Sequence, residues 1–171
     1  MVNHVPYREV QYFRQSWLLV FLAAEILVNI WAVVQQIVLG QPWGNNSASD
    51  GLLLVIFLLT GVILPVVVLT THLRVEVRRE GLVFQFFPMQ LHERTILWRD
   101  ITSHVKVTYR PLRDFGGWGI RYGRRGKAYN VSGDQGVALF LGDGREMLFG
   151  SRDAQALELA IGMMRGEPGG R

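Results

Sequence analysis

Residues 51–71 read GLLLVIFLLTGVILPVVVLTT, and no charged side chain interrupts them. At 1.5 Å rise per residue, a helix of this length spans about 31 Å, the thickness of a hydrocarbon core. The pattern changes directly afterwards: residues 73–78 read LRVEVR, an alternation of apolar and charged side chains that is typical of a half-buried strand. The sequence therefore predicts a transmembrane helix over residues 51–71 that is followed by a β-rich domain.

Charge is distributed unevenly along the 171 residues. Of the 18 Lys and Arg, only Arg8 and Arg14 precede residue 72, and of the 14 Asp and Glu, only Glu9, Glu25 and Asp50 do. Residues 72–171 are polar and carry a net charge of +5. This distribution excludes a wholly soluble globule and a disordered chain. Because the sequence has no cysteine, disulfides and thiolate metal sites are excluded as well.

A second apolar run covers residues 17–39 and includes Glu25, Asn29, Gln35 and Gln36. It is longer than the apolar core of about 7–15 residues in a cleaved signal peptide. It also lacks the basic polar face of a helix that lies along a membrane surface. We therefore predict a first transmembrane helix over residues 16–39.

The distribution of Lys and Arg predicts the orientation of these helices, because positive residues collect on the cytoplasmic side. The connecting loop, residues 40–50, has neither residue type. Basic residues instead flank the helices, at Arg8 and Arg14 before the first and from Arg74 onward after the second. We expect an external loop at residues 40–50, a cytoplasmic segment at residues 1–15, and both termini in the cytoplasm.

Polar residues inside the first helix form one stripe, because Glu25, Asn29 and Gln36 lie four and seven residues apart. A carboxyl group inside a bilayer is costly and indicates a function or a specific partner. Three interpretations are open. Glu25 is a protonated side chain that is hydrogen-bonded within the helix pair, the stripe is an association surface for another chain, or it is part of a proton or ion path.

The segment 72–165 is predicted to hold about seven or eight antiparallel strands and one terminal helix. Gly142-Asp143-Gly144 lies between two apolar runs, as in a β-hairpin turn. The helix is predicted over Asp153–Met164, where apolar residues recur at three- and four-residue spacing, and a flexible tail is predicted at residues 166–171. The strands are predicted at residues 73–77, 82–87, 95–98, 103–109 (with Val105 and Val107 pointing inward), 118–122, 127–131, 136–141 and 145–149.

Four strings of this segment resemble bacterial pleckstrin-homology (PH)-like membrane proteins: WRDI at 98–101, GGWGIR at 116–121, AY at 128–129 and LFGS at 148–151. Families of this kind join two transmembrane helices to a cytoplasmic PH-like domain and are largely uncharacterised. The resemblance implies an all-β PH-like split barrel with a C-terminal amphipathic helix, below a membrane α-helical hairpin in the bacterial plasma (inner) membrane. It implies no catalytic residues.

Three glycines in the GGWGIR string suit a bulge or a close backbone approach. The string has two interpretations: a structural loop with Trp118 in the core, or a binding rim. Basic side chains cluster around the loop before this string and around the adjacent connection at residues 123–126. They form a solvated surface, contacts to anionic lipid, or a phosphate site. The candidate binding surface consists of Phe115, Trp118, Arg121, Arg124 and Arg125.

No catalytic or metal-binding constellation can be assembled, because His72, His92 and His104 lack ligand spacing and no nucleophile motif is present. We expect no cofactor, no enzyme activity and no nucleic-acid partner. The predicted function is a membrane-anchored interaction module that binds a protein partner, itself or anionic lipid. The alternative is an accessory subunit of a transporter or membrane enzyme that docks through its first helix.

Overall fold

A computed structural model describes residues 7–45, 47–123 and 126–166. The chain divides into a helical unit, Phe13–Thr71, and a β-rich unit built from the residues on both sides of it. The helical unit is thus an insertion into the β-rich unit.

The helical unit consists of two helices, α1 (Ser16–Val38) and α2 (Asp50–Thr70), each long and apolar enough to cross a membrane. Ser49 caps α2 by accepting a hydrogen bond from the Leu52 amide. The middle of α2, Phe57–Ile63, is π-helical. Pro65 follows, and the wider turn accommodates its missing N–H and its bulky ring.

The first sheet of the β-rich unit has four antiparallel strands in the order β1-β2-β3-β4. The first two, β1 and β2, pair although the helical unit separates them, with Tyr12 opposite His72. Residues 7–12 were predicted to lie in a segment outside the domain, whereas in the structure they form part of its sheet. The strands are β1 (Tyr7–Tyr12), β2 (His72–Val77), β3 (Gly81–Phe87) and β4 (Arg94–Leu97).

The second sheet has five strands in the order β5-β8-β9-β7-β6. The prediction of antiparallel pairing throughout was wrong, because β7 and β9 pair in parallel. Successive strands reverse direction, so β7 and β9 run the same way, and β9 lies between β7 and β8. The strands are β5 (Ile101–Thr108), β6 (Gly119–Gly123), β7 (Gly126–Asn130), β8 (Gln135–Leu141) and β9 (Glu146–Gly150).

These nine strands form two separate sheets and no closed barrel within the described ranges. Eight of them match predicted strands, and β1 is the addition. Aromatic side chains from both sheets meet in the core, where Phe84 lies 4.8 Å from Tyr129 and 4.9 Å from Phe149 between ring centroids. Burying these rings removes apolar area from water and so stabilises the contact between the two sheets.

Three short or terminal helical segments complete the unit: a 3-10 turn at Trp98–Asp100, α3 (Pro111–Phe115) and α4 (Ala154–Arg165). The amphipathic C-terminal helix is confirmed, with Leu157 and Ile161 fully buried. Asp153 caps α4 through the Ala156 amide at 2.9 Å. This helix also covers the free edge of β5, because Glu158 Oε1 accepts from the Lys106 amide at 2.7 Å.

The outer face of the first sheet holds one buried carboxylate, Glu76, which is 2 % exposed. Arg74 and Arg78 approach its two oxygens to 2.5 and 2.6 Å, and Arg8 lies at 3.1 Å. Glu93 links Arg74 and Arg78 at 3.0 Å each. Burial raises the pKa of Glu76, but hydrogen bonds from Arg78 and Arg74 outweigh it and hold the pKa below its usual value.

Candidate functional site

A cavity of about 670 Å³ opens on the face of the second sheet that points away from the first. Its apolar lining comes from Val107, Tyr109, Phe115 and Leu148. Its polar lining comes from Thr108, Arg113, Asp114 and Glu146. The cavity thus combines an apolar floor with charges of both signs.

The period-two pattern of β5 explains the floor. Val105 lies opposite Ala138, and Ala138 lies opposite Leu148, so these side chains share one face of the sheet. Val105 and Val107 were predicted to point inward, but this face is the outer one. The prediction of an inward orientation was therefore wrong for both: Val105 is 43 % exposed, and Val107 is only partly buried, against Tyr109, Ala138 and Leu148.

Phe115, a predicted binding residue, anchors α3 to the sheet at the edge of this cavity. Its ring packs against the buried cluster that contains Tyr109 and Leu148, and it meets the Tyr109 ring edge-on at 5.9 Å. Gly123 makes this approach possible, because a Cβ there would lie 2.7 Å from the Phe115 ring. The side chain is half-buried and contributes one wall of the cavity.

Buried polar groups lie beside the floor. The Tyr109 hydroxyl and the Asn130 Nδ2 lack a well-aligned hydrogen bond among the described residues. Asn130 Oδ1 accepts from the Gly119 amide at 2.9 Å and so positions the start of β6. Burial raises the pKa of Tyr109 to about 12, which the neighbouring Asn130 amide partly opposes. The hydroxyl therefore stays protonated at neutral pH.

Trp118 and Arg121 lie outside the cavity lining. The Arg121 Nε donates to the Trp118 carbonyl at 3.0 Å, and its guanidinium folds back over Gly117. Trp118 is partly buried, and its indole N–H has no partner in the part of the chain that the structure describes. Arg124 and Arg125, the two other predicted members, lie outside the described residues. The structure thus brings Phe115 to the cavity and holds Trp118 and Arg121 around the adjacent glycine turn.

The predicted polar stripe of α1 makes its described contacts inside the helical unit. Asn29 Nδ2 donates to the Glu25 carboxyl group, and Asn29 Oδ1 accepts from the Thr60 hydroxyl of α2 at 3.2 Å. Gln36 donates to Asp50 at 2.8 Å and to the Ala48 carbonyl at 2.7 Å. Glu25 Oε2 is buried without a hydrogen bond among the described residues.

Tyr109, Leu148 and Glu146 are cavity residues that the sequence did not indicate as binding residues. One signal pointed towards them: residues 136–141 read GVALFL, a continuous apolar run where a half-exposed strand would alternate. Such a run indicates a strand covered on both faces. In the structure Ala138 is buried on the outer face, next to the residues that line the cavity.

The described residues contain no group of three or more His, Asp or Glu side chains that could hold a metal ion. Residues 3–162 match the model of a family of unknown function, DUF6141. The chain belongs to this family. A search of curated proteins gives no significant match. Because the DUF6141 match covers both helices, all nine strands and most of α4, the helical unit and the β-rich unit are parts of one family architecture.

Proposed function

We propose that this DUF6141 protein is a membrane-anchored interaction module whose β-rich unit binds a protein partner on the cytoplasmic face of a bacterial plasma membrane. In this proposal α1 and α2 cross the bilayer, and the β-rich unit has a PH-like plan of two sheets and a terminal helix. The pairing of β1 with β2 supports a topology in which the residues before α1 and after α2 lie on the same side. The absence of Lys and Arg from residues 40–50 supports a cytoplasmic location for that side.

The single observation that carries the binding proposal is the cavity on the outer face of the second sheet. Its apolar surface continues beyond the cavity, because Val105 and Phe140 lie on the same face and are 43 % and 37 % exposed. An apolar centre with a polar rim is the composition of a protein interface. The side chains of a partner would fill the cavity between Phe115 and Leu148.

The charges around the cavity favour a protein over an anionic lipid. Among the lining residues that the structure describes, Asp114 and Glu146 place two carboxylates beside the guanidinium of Arg113. An anionic headgroup would be repelled by the two carboxylates, whereas a protein surface can present charges of both signs. Tethering to a bilayer raises the effective concentration of the domain near membrane-bound partners, so a modest interface suffices.

The alternative, an accessory subunit that docks through α1, requires an available polar stripe on that helix. Asn29 and Gln36 instead bond to Thr60 and Asp50 within the helical unit. These contacts favour the interpretation in which the stripe joins the two helices.

The test is photo-cross-linking of the full-length protein in its native membrane. A photoreactive phenylalanine analogue replaces Phe140, which is 37 % exposed, and in a control it replaces Leu159 of α4, which is 38 % exposed. We expect one foreign protein to be captured stoichiometrically from position 140 and not from position 159, and we expect Val105→Glu to abolish the capture. Capture of lipid alone, or of further copies of this chain alone, would overturn the assignment of a protein partner.

A further inference from the structure

The loop between β3 and β4 exposes apolar side chains and buries a polar one, the reverse of the usual arrangement in a loop. Met89 and Leu91 are 67 % and 69 % exposed, whereas Gln90 between them is 7 % exposed. In water a loop gains by the opposite arrangement, with the amide exposed and the two apolar side chains buried. The reversal therefore leaves two apolar side chains of one short loop available for contact with another apolar phase.

Hydrogen bonds hold the loop in this conformation. The Gln90 amide N–H donates to the Phe86 carbonyl at 2.8 Å, and Gln90 Oε1 accepts from the Phe86 amide at 3.1 Å. Gln85 Nε2 donates to the Leu91 carbonyl at 2.9 Å. Because these bonds fix the backbone on both sides of Met89 and Leu91, the loop is preorganised, and binding through these side chains requires no further ordering of the backbone.

The register of the first sheet places this loop at the end where the helical unit is inserted. Tyr12, His72 and Phe87 lie side by side across β1, β2 and β3, with ring centroids 5.1 and 5.5 Å apart. Tyr12 is the last residue before the helical unit, His72 is the first after it, and Met89 follows Phe87 by two positions. The exposed pair thus belongs to the sheet end at which the chain leaves for α1 and returns from α2.

The covalent chain limits how far this sheet end can be from the helices. α2 ends at Thr70, and two residues of extended chain from Thr70 to His72 reach at most about 7 Å. The connection from Tyr12 to Ser16 reaches at most about 14 Å. If α1 and α2 cross a bilayer, the hydrocarbon beneath its headgroups is therefore the nearest apolar phase to Met89 and Leu91.

We propose that Met89 and Leu91 insert into the headgroup and acyl-chain boundary of the bilayer that holds α1 and α2. The inference rests on the proposed crossing of the membrane by these helices. The one carboxylate of the loop, Glu93, is paired with Arg74 and Arg78, so no unpaired acid of the loop opposes an anionic membrane surface. The loop is a third attachment, beside the two covalent connections, and it restricts rotation of the β-rich unit at the membrane.

The test uses the absence of cysteine from the chain, which allows single-cysteine reporters. An environment-sensitive dye is attached to Met89→Cys or Leu91→Cys in the purified full-length protein, reconstituted in phosphatidylcholine nanodiscs at one copy per disc. Two controls carry the same dye. Leu112→Cys matches Leu91 at 69 % exposure, and Glu80→Cys lies in the β2–β3 turn, about 20 Å along the sheet from His72.

We expect dyes at positions 89 and 91 to be quenched by spin-labelled lipids and to lose most of their quenching by aqueous iodide. The dye at position 80 is expected to remain open to iodide. Equal iodide quenching at 89, 91 and 80 would overturn the inference, and so would shielding that requires several copies per disc or shielding that is equal at 89, 91 and 112.

A reporter at Val28→Cys, in an exposed position of α1, separates this inference from the proposed function. Lipid quenching at position 28 with iodide quenching at 89 and 91 refutes only the loop insertion. Iodide quenching at position 28 refutes the membrane crossing itself. Neither readout depends on a protein partner, because the reconstituted sample contains only this chain and lipid.

Discussion

The helical unit and the β-rich unit place apolar side chains in opposite ways. Along α1 only Leu22 and Ala32 are buried, and Val20, Leu27 and Trp31 are more than half exposed. In the β-rich unit Leu73, Phe86 and Phe149 are fully buried. The difference teaches that the two units expose different chemistry: the helical unit presents a large apolar surface, as its proposed crossing of a bilayer requires, and the β-rich unit buries its apolar side chains in a core.

Polar groups follow the same division. The helical unit joins its two helices through Asn29 and Thr60, whereas the β-rich unit surrounds the buried Glu76 with three arginines. The loop with Met89 and Leu91 belongs to the β-rich unit but exposes its apolar side chains as the helices do. In our proposal this loop lies at the boundary between water and the bilayer.

The largest expected effect is that of Glu76→Gln. The substitution keeps the side chain's shape but removes the charge that Arg74, Arg78 and Arg8 share. We expect the free energy of unfolding of the β-rich unit to fall by about 3 kcal/mol, since breaking a buried ion pair leaves charges uncompensated. Native-state hydrogen exchange at β2 amides, with the protein in nanodiscs, measures this loss.

Glu93→Gln is the matched control, because Glu93 pairs with two of the same arginines but its side chain is 35 % exposed. A partly solvated pair contributes less than about 1 kcal/mol. Equal losses from the two variants would mean that burial of Glu76 does not set its contribution.

Acid should reproduce part of the Glu76 effect. Its arginine partners lower the folded-state pKa of Glu76 below the usual 4.5, so its contribution to stability is present above pH 4.5 and is lost as pH falls through the folded-state pKa. Exchange of β2 amides between pH 6 and pH 3 should therefore accelerate more in the wild type than in Glu76→Gln, after correction for the intrinsic pH dependence of exchange. Parallel profiles for the two proteins would assign acid sensitivity to other carboxylates.

A smaller effect is expected from Gly123→Ala. The new Cβ would lie 2.7 Å from the Phe115 ring and 2.9 Å from the Asp114 carbonyl oxygen, so α3 must shift away from the sheet. Such overpacking costs about 1–3 kcal/mol. Thermal unfolding followed by near-ultraviolet circular dichroism measures the loss. Gly142→Ala is the control, since its nearest neighbour would lie at 3.8 Å, and an equal loss there would show that the Phe115 contact does not decide the result.

The smallest effect is expected in the helical unit. Thr60→Val removes the hydrogen bond to Asn29 while Asn29 keeps its bond to Glu25, and in membrane proteins such bonds between helices contribute about 0.6 kcal/mol on average. Steric trapping in bicelles measures the free energy of helix separation, with Val28→Leu as a control on the exposed side of α1. Loss of a complex captured at position 140 by Asn29→Leu alone would instead favour the accessory-subunit alternative.

Strand β1 shows why one element was missed. Hydrophobic periodicity identifies strands that bury apolar side chains, but the inward side chains of β1 are polar. Gln11 is fully buried and donates to the Gly150 carbonyl at 2.8 Å, and Glu9 accepts from Ser151 at 2.8 Å. These partners lie more than 130 positions away, and no local pattern in residues 7–12 indicates them.

By itself, the sequence determined the elements whose physical cause is local. Apolar runs long enough to cross a bilayer define α1 and α2, alternating or short apolar runs define eight strands, and Asp153 with its apolar stripe defines α4. Tertiary structure decided the features that depend on distant segments. These are the outward orientation of Val105, the parallel pairing of β7 with β9, the arginines around Glu76, and the burial of Gln90 in its loop. The physical reason is that periodicity shows which residues share a face, whereas burial of that face depends on segments distant in the chain.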